Sequence, residues 1–320
     1  MTTKFDLVAI GEPLVVMIPD RPGPLRFAPR FERAMAGAEC NALLGLARLG
    51  GRAGLISRVG HDEFGAFVLE TLRGASVDTS RVVVDPTRRT GIYFKEELAL
   101  DGQAHPTYYR EGSATSALVA DDIDAGYIAQ SRALLVTGIS ALLSDNAYGA
   151  VTHALQIARS AGVMTLFDPN LRSGLWGSER ARELLCPLLE YVDIFLGGER
   201  EARVLLDGDA SWSTRELVEK LAAAGPVEVV LKRGAEGAAM LDATGAFFEQ
   251  PVFRTTVKSA VGAGDAFNAG FLHARQRGDD PQVALRVGAI CGAAVCAGTG
   301  DFETFPRESD LAAYLESTER

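Results

Sequence analysis

The 320-residue chain predicts an α/β fold: a mostly parallel central sheet between two helical layers, with a small β lid. Three observations carry this expectation. Short β-rich runs alternate with alanine-rich stretches of helical pattern, as strands alternate with crossover helices in layered α/β proteins. Two stretches near the N-terminal third break that rhythm with proline, arginine and strand-like runs. A glycine-rich turn then leads into a small-residue helix late in the chain, at Val261-Gly262-Ala263-Gly264-Asp265-Ala266-Phe267-Asn268-Ala269-Gly270.

The elements follow in order. Buried strands are expected over residues 5–10, 54–59, 133–137, 164–167, 194–196 and 227–231, each a short apolar run ending in glycine or polar residues. Helices are expected over 41–49, 64–73, 148–161, 179–189 and 214–223. The rhythm-breaking stretches, 13–31 and 90–110, read as β excursions that meet as the lid, formed by about 12–35 and 89–111. Asp101-Gly102 inside a polar connection is a hairpin signal. Tyr108 and Arg110 lie two apart and so share one face of a strand. No repeat, low-complexity tract or long linker divides the chain, so one domain over 1–320 is expected.

Composition narrows the function. A formal charge of -10 disfavours sequence-independent nucleic-acid binding, which needs a basic face. Cys40, Cys186, Cys291 and Cys296 are scattered without a CxxC pair and read as thiols in a reducing compartment. The start lacks a signal-peptide pattern and no apolar run reaches membrane-spanning length, so the expected setting is the cytoplasm, with no membrane partner. No GxxxxGK[ST] occurs, which excludes a P-loop enzyme, and no GxGxxG follows the first strand.

The glycine-rich turn carries the chemistry. Its backbone N–H groups and the helix N-terminus form an anion-binding concavity suited to phosphate. Asp265 stands where it can accept a hydroxyl proton beside that phosphate, a combination that points to phosphoryl transfer to an alcohol. Close helix packing and simple helix capping explain the same residues, and the decapeptide alone does not separate the two readings.

Several segments in one order resemble the ribokinase-like (PfkB) carbohydrate kinases, most nearly the 2-keto-3-deoxygluconate kinases. They are Gly11-Glu12-Pro13-Leu14-Val15, Ala36-Gly37-Ala38-Glu39-Cys40-Asn41, Arg58-Val59-Gly60-His61-Asp62-Glu63-Phe64-Gly65, Thr90-Gly91-Ile92-Tyr93, Tyr108-Tyr109-Arg110-Glu111-Gly112-Ser113-Ala114, Asp168-Pro169-Asn170-Leu171-Arg172 and Gly262 to Asp265. The resemblance implies a ribokinase-like three-layer sandwich that uses ATP and Mg²⁺. It implies Asp265 as the base, with the amides of Gly262, Ala263 and Gly264 at the transferring phosphoryl group. It implies Gly37, Asn41, Tyr93, Tyr108, Arg110 and Arg172 on the sugar side. The two arginines supply guanidinium forks that a sugar acid needs and a neutral hexose does not. Glu201 holds the glutamate position of the family's NxxE motif and would organise Mg²⁺, although Gly198 replaces the Asn. Lys232, Gly234, Gly237 and Gly292 fall at the nucleotide side.

One departure stands out. Many relatives place Asp-Thr where this chain has Ser259 and Ala260, and that Asp can serve a monovalent cation. Its loss predicts either no need for K⁺ or a charge supplied by Lys258. The expected reaction is phosphorylation of 2-keto-3-deoxygluconate at its 6-hydroxyl. A fructokinase or ribokinase-type enzyme and a non-catalytic nucleotide- or sugar-binding protein are the alternatives. An exposed lid edge makes a homodimer through the lid plausible.

Overall fold

The computed structural model describes residues 3–97, 104–172 and 175–317. In chain order its strands are β1 (Leu7–Ile10), β2 (Leu14–Pro19), β3 (Phe31–Ala36), β4 (Ala53–Gly60), β5 (Asp78–Asp85), β6 (Ile92–Glu97) and β7 (Ala104–Tyr109). They continue as β8 (Ala133–Thr137), β9 (Met164–Asp168), β10 (Ile194–Gly198), β11 (Glu228–Lys232), β12 (Ala238–Leu241) and β13 (Phe247–Gln250). Nine strands form one sheet in the order β13-β12-β11-β10-β9-β8-β1-β4-β5. Pairing is parallel from β11 through β5, and β12 and β13 add an antiparallel edge.

Alternation along each strand builds two cores. Leu7, Ala9, Leu135, Leu196 and Val230 face one helical layer, which includes Ala38–Arg48, Glu63–Gly74, Ala263–Arg277 and Pro281–Cys296. Val8, Ile10, Leu134, Phe195 and Val229 face the other, which includes Asp145–Ala161, Ser178–Leu185, Glu199–Leu206 and Thr214–Ala223. Helix ends follow local chemistry. Ser144 Oγ accepts from Ala147 N at 3.0 Å to start Asp145–Ala161, and Gly162 ends it in the left-handed region at φ 68°.

The second sheet runs β3-β2-β6-β7. β2 pairs antiparallel with β3 and parallel with β6, and β6 pairs antiparallel with β7, as a hairpin requires. The Asp101-Gly102 turn itself lies outside the described residues. One face of this sheet gathers Leu14, Val16, Ala36 and Tyr93, while Val15 and Met35 join the main core. Asp62 anchors its root: Oδ1 accepts from Gly65 N at 2.8 Å and Oδ2 from Thr90 N at 2.9 Å.

Three differences from the sequence pattern have physical causes. The helix expected over 179–189 stops at Leu185 and continues as the 3₁₀ turn Cys186–Tyr191, because Pro187 has no N–H for the α-helical ladder. β5 escapes an alternation search because it is an edge strand with exposed positions on either side of its pleat. β12 reads Ala-Ala-Met-Leu, a helix-like composition, and is strand only because it is sandwiched between β11 and β13 under the Pro281–Cys296 helix.

The Ala263–Arg277 helix is anchored by Phe271, fully buried and stacked on Phe267 with ring centroids 6.2 Å apart. Phe271→Ala is expected to lower unfolding free energy by about 3–5 kcal/mol, read from urea denaturation. A change below about 1 kcal/mol would show that this helix does not depend on that anchor.

Candidate active site

The carboxyl ends of β1, β8, β9, β10 and β11 open on one edge of the main sheet, and the second sheet stands over it. Ligands in open α/β sheets bind outside such ends, where the strand order reverses. Here the reversal falls at β1, which has β8 on one side and β4 on the other.

The Ala263–Arg277 helix delivers Asp265 to this edge in its first turn. Gly262 precedes the helix at φ 79°, and a Cβ there would collide with the Asp301 carbonyl. Only glycine makes this turn without strain. No side chain caps the helix; Ala263 N donates to Ala260 O at 3.3 Å, and the helix N-terminus favours an anion beside it. Asp265 is 4% exposed, and two amides hold its carboxylate. Asn41 Nδ2 donates to Oδ2 at 2.9 Å and Asn170 Nδ2 to Oδ1 at 3.3 Å. Asn170 takes φ 44°, a left-handed conformation that Asn tolerates better than most residues. Burial pushes the Asp265 carboxyl up to about 6, against the lowering pull of Arg172 and the Asn41 hydrogen bond.

Beside it lies a polar network. Lys232 Nζ donates to Asp168 Oδ2 at 2.7 Å and to Asn268 Oδ1 at 3.1 Å, and Asn268 Nδ2 donates to the same Asp168 oxygen at 2.7 Å. Glu201 accepts from Leu171 N and Gly198 N, both at 2.6 Å, and burial raises its carboxyl. It therefore caps the Glu199–Leu206 helix and fixes the Asp168–Arg172 segment at once. Gly198 sits at that helix's start, where the backbone N–H is what Glu201 needs.

Three cavities converge here. A polar one of about 560 Å³ is lined by Asp168, Arg172, Glu201, Lys232, Gly262, Gly264 and Asp265. A mainly apolar cleft of about 680 Å³ lies across the turn, with Gly234, Gly237, Val252, Phe253, Ala263, Phe267, Gly292 and Ala293 on its walls. Gly292 lets the last long helix approach Ala263 closely, since a Cβ there would come within 3.1 Å of its carbonyl. The third cavity, about 450 Å³, is roofed by Tyr93 and Tyr108 and floored by Gly37, Asn41, Arg172 and Asp265. Lys95, Arg172, Val261 and Asp265 line both the first and the third.

One expectation changes. Arg110 is paired with Glu12 and does not line the third cavity; its guanidinium lies 5.5 Å from the Tyr108 ring centroid. Glu12 is buried where β1 exits, and its charge demands such a partner. Lys258 is exposed and lines the first cavity, and Ser259 Oγ there accepts from Lys95 Nζ at 3.2 Å. The sequence reading also missed Asp168, Asn170, Asn268 and Asp301. Asp168 was findable, as a carboxylate ending a buried strand. Asp301 reaches the third cavity from the far C-terminal part of the chain, with Tyr93 Oη at 3.4 Å and burial pushing its carboxyl up to about 7.

The apolar cleft and the polar cavity share Lys232, Ala260 and Gly264, and the polar cavity meets the third one at the buried Asp265, an arrangement that fits a small-molecule kinase. The chain belongs to the pfkB family of carbohydrate kinases, whose profile matches residues 4–307. It is 36% identical to the 2-dehydro-3-deoxygluconokinase of Thermoproteus tenax over 98% of this chain and 95% of the relative. It is 29% identical to the 5-dehydro-2-deoxygluconokinase of Shouchella clausii, over 98% and 96%. A ribokinase II crystal structure from E. coli, in complex with ATP and Mg²⁺, superposes with a TM-score of 0.88 at 26% identity, covering 98% of this chain and 99% of that one. The fold is thus ribokinase-like and the protein is a phosphotransferase acting on a sugar.

Gly262→Ala tests the turn, because it asks a Cβ to occupy the space of the Asp301 carbonyl at a positive φ. Expected are a lower melting temperature, by about 1–3 kcal/mol of strain, and a loss of ATP binding by titration calorimetry. Unchanged ATP affinity would mean the turn does not hold the nucleotide.

Proposed function

We propose that the protein transfers the γ-phosphoryl group of ATP to the terminal hydroxyl of a sugar acid, 2-keto-3-deoxygluconate giving its 6-phosphate. One observation carries this reading: Asp265 and Arg172 sit together where the sugar-sized and phosphate-sized cavities meet. In this reading a base, an acceptor and a phosphoryl group converge there. The relatives named for dehydro-deoxygluconate kinases support the substrate class.

In this reading Asp265 takes the proton of the attacking hydroxyl as its oxygen forms the bond to the γ-phosphorus and the bond to the ADP oxygen breaks. The N–H groups of Gly262, Ala263 and Gly264 receive the charge on the transferring group. Lys232, Gly234 and Gly237 meet the phosphates, and Gly292 borders the adenine. Asp168 and Glu201 line the polar cavity, a carboxylate pair that fits Mg²⁺ arriving with the phosphates. These two carboxylates would hold Mg²⁺ through its waters, and the ion would supply positive charge against the phosphates.

Arg172 pairs with the sugar carboxylate. Arg172 is exposed, and although partial desolvation disfavours its charge, Asp265, Asp168 and Glu201 outweigh that and hold its guanidinium above the usual range. Gly37, Asn41, Tyr93 and Tyr108 shape the pocket, and Arg110 acts at one remove by holding Tyr108. The chain works as one domain with residues 12–35 and 89–111 as its lid, which excludes water on closing. A homodimer through the lid edge and a cytoplasmic setting belong to the same reading. No helix among the described residues is long and apolar enough to cross a membrane.

The test is a coupled ADP-release assay over a panel of sugars and sugar acids. A keto-deoxy sugar acid should give the highest kcat/KM, and Arg172→Ala should weaken it more than any neutral sugar. Fructose or ribose as the best substrate would sink the sugar-acid assignment. Asp265→Asn should lower kcat by about 10²–10⁴-fold with ATP affinity retained. Because Asp265 must be unprotonated to act, kcat/KM should rise with pH through about 6 and level above it. A profile flat from pH 5 to 7 would contradict the role, on the scale of about one pKa unit per tenfold.

A further inference from the structure

We propose that Lys95 is a catalytic residue delivered by the lid: its ammonium contacts the transferring phosphoryl group where the two polar cavities join, and its bond to Ser259 ties the lid to the anion turn. This rests on the kinase reading above. Lys95 lies on β6, 3% exposed, and lines both the sugar and the phosphate cavity. Its Nζ donates to Ser259 Oγ at 3.2 Å, and the same oxygen accepts from Val261 N at 3.3 Å, one residue before Gly262. A lid strand and the entrance to the turn thus share one hydroxyl.

Charge accounting gives the ammonium its task. Asp168, Glu201 and Asp265 line the phosphate cavity, and ATP adds more negative charge to it. Lys232 meets the phosphates while also held by Asp168 and Asn268, Lys258 lines the same cavity from an exposed position, and Arg172 is required by the acceptor's carboxylate in the proposed reaction. Lys95 is a buried cation at this junction, where its charge also pulls on the Asp301 carboxyl. Burying an ammonium is costly, and a lid that served only as a cover would be more stable with an apolar residue there. Mounted on the lid, it reaches the phosphoryl group only when the lid is down, so transfer to water from an open site lacks its help.

The test compares kcat, KM and ATP affinity for the unmodified protein and for Lys95→Met, Lys95→Gln and Lys95→Arg, with melting temperatures alongside. Turnover of a sugar acid by the unmodified protein is established first, and its absence would count against the proposed function rather than against Lys95. Expected for Lys95→Met is a kcat loss of about 10²–10³-fold with ATP affinity within about threefold, since one charged donor is removed from the transition state. Lys95→Arg should recover at least about tenfold of that loss, which mere packing would not restore. If the Met variant melts early, the Gln variant is held to the same thresholds. A kcat within about threefold of the unmodified protein, or a loss confined to KM or to ATP affinity, would overturn the proposal.

Discussion

The structure is organised around a carboxylate kept out of water. Asp265 is almost fully buried, yet in the proposed reaction it must remain able to take a proton. Two side-chain amides answer its oxygens, and Arg172 and Lys232 supply positive charge nearby. These opposing influences leave the carboxyl at about 6, above the ordinary range but still largely ionised at neutral pH. A buried charge stays only if its surroundings are rigid, and the fold provides that rigidity from several directions. Asn41 comes from the helix after β3, Asn170 from the exit of β9, and Asp265 from the helix after the glycine turn. Three separate crossovers must pack correctly before the carboxylate has its partners.

The same logic repeats outward. Asp168, Lys232 and Asn268 satisfy one another, so the wall of the phosphate cavity is polar without an isolated charge. Glu39, also buried, accepts from Thr137 and Ser140, both at 2.5 Å, and burial pushes it up to about 7. Glu12 receives Ser113 and Arg110 at the root of the lid. Each carboxylate at this sheet edge is matched by donors from another element, so the edge is stable before any ligand arrives. The exposed charges elsewhere, such as Arg277 with Glu308, contribute little by comparison.

Much of this was legible in the sequence because the strands and turn follow local rules. Buried parallel strands are continuous apolar runs, and the Gly262 turn must be glycine at its positive φ, so both leave a local mark. The parts that were not legible depend on contacts far apart in the chain. Whether Arg110 faced a ligand or Glu12 could not be read from Tyr108-Tyr109-Arg110, since Glu12 lies 98 positions away. Lys95 meets Ser259 across 164 residues, and nothing in either local segment announces the pairing. Asp301 follows a glycine-rich loop with no strand or helix pattern of its own, so only the folded chain places it beside Tyr93.

The central claim is that this edge joins a phosphoryl group to a sugar hydroxyl, with Asp265 between them. It is tested most directly by phosphorus and carbon NMR of the product made from ATP and 2-keto-3-deoxygluconate. A new phosphomonoester signal coupled to the terminal carbon of the sugar acid, formed mole for mole with ADP, is the predicted result. Release of inorganic phosphate alone, or a phosphate on any other carbon, would contradict it.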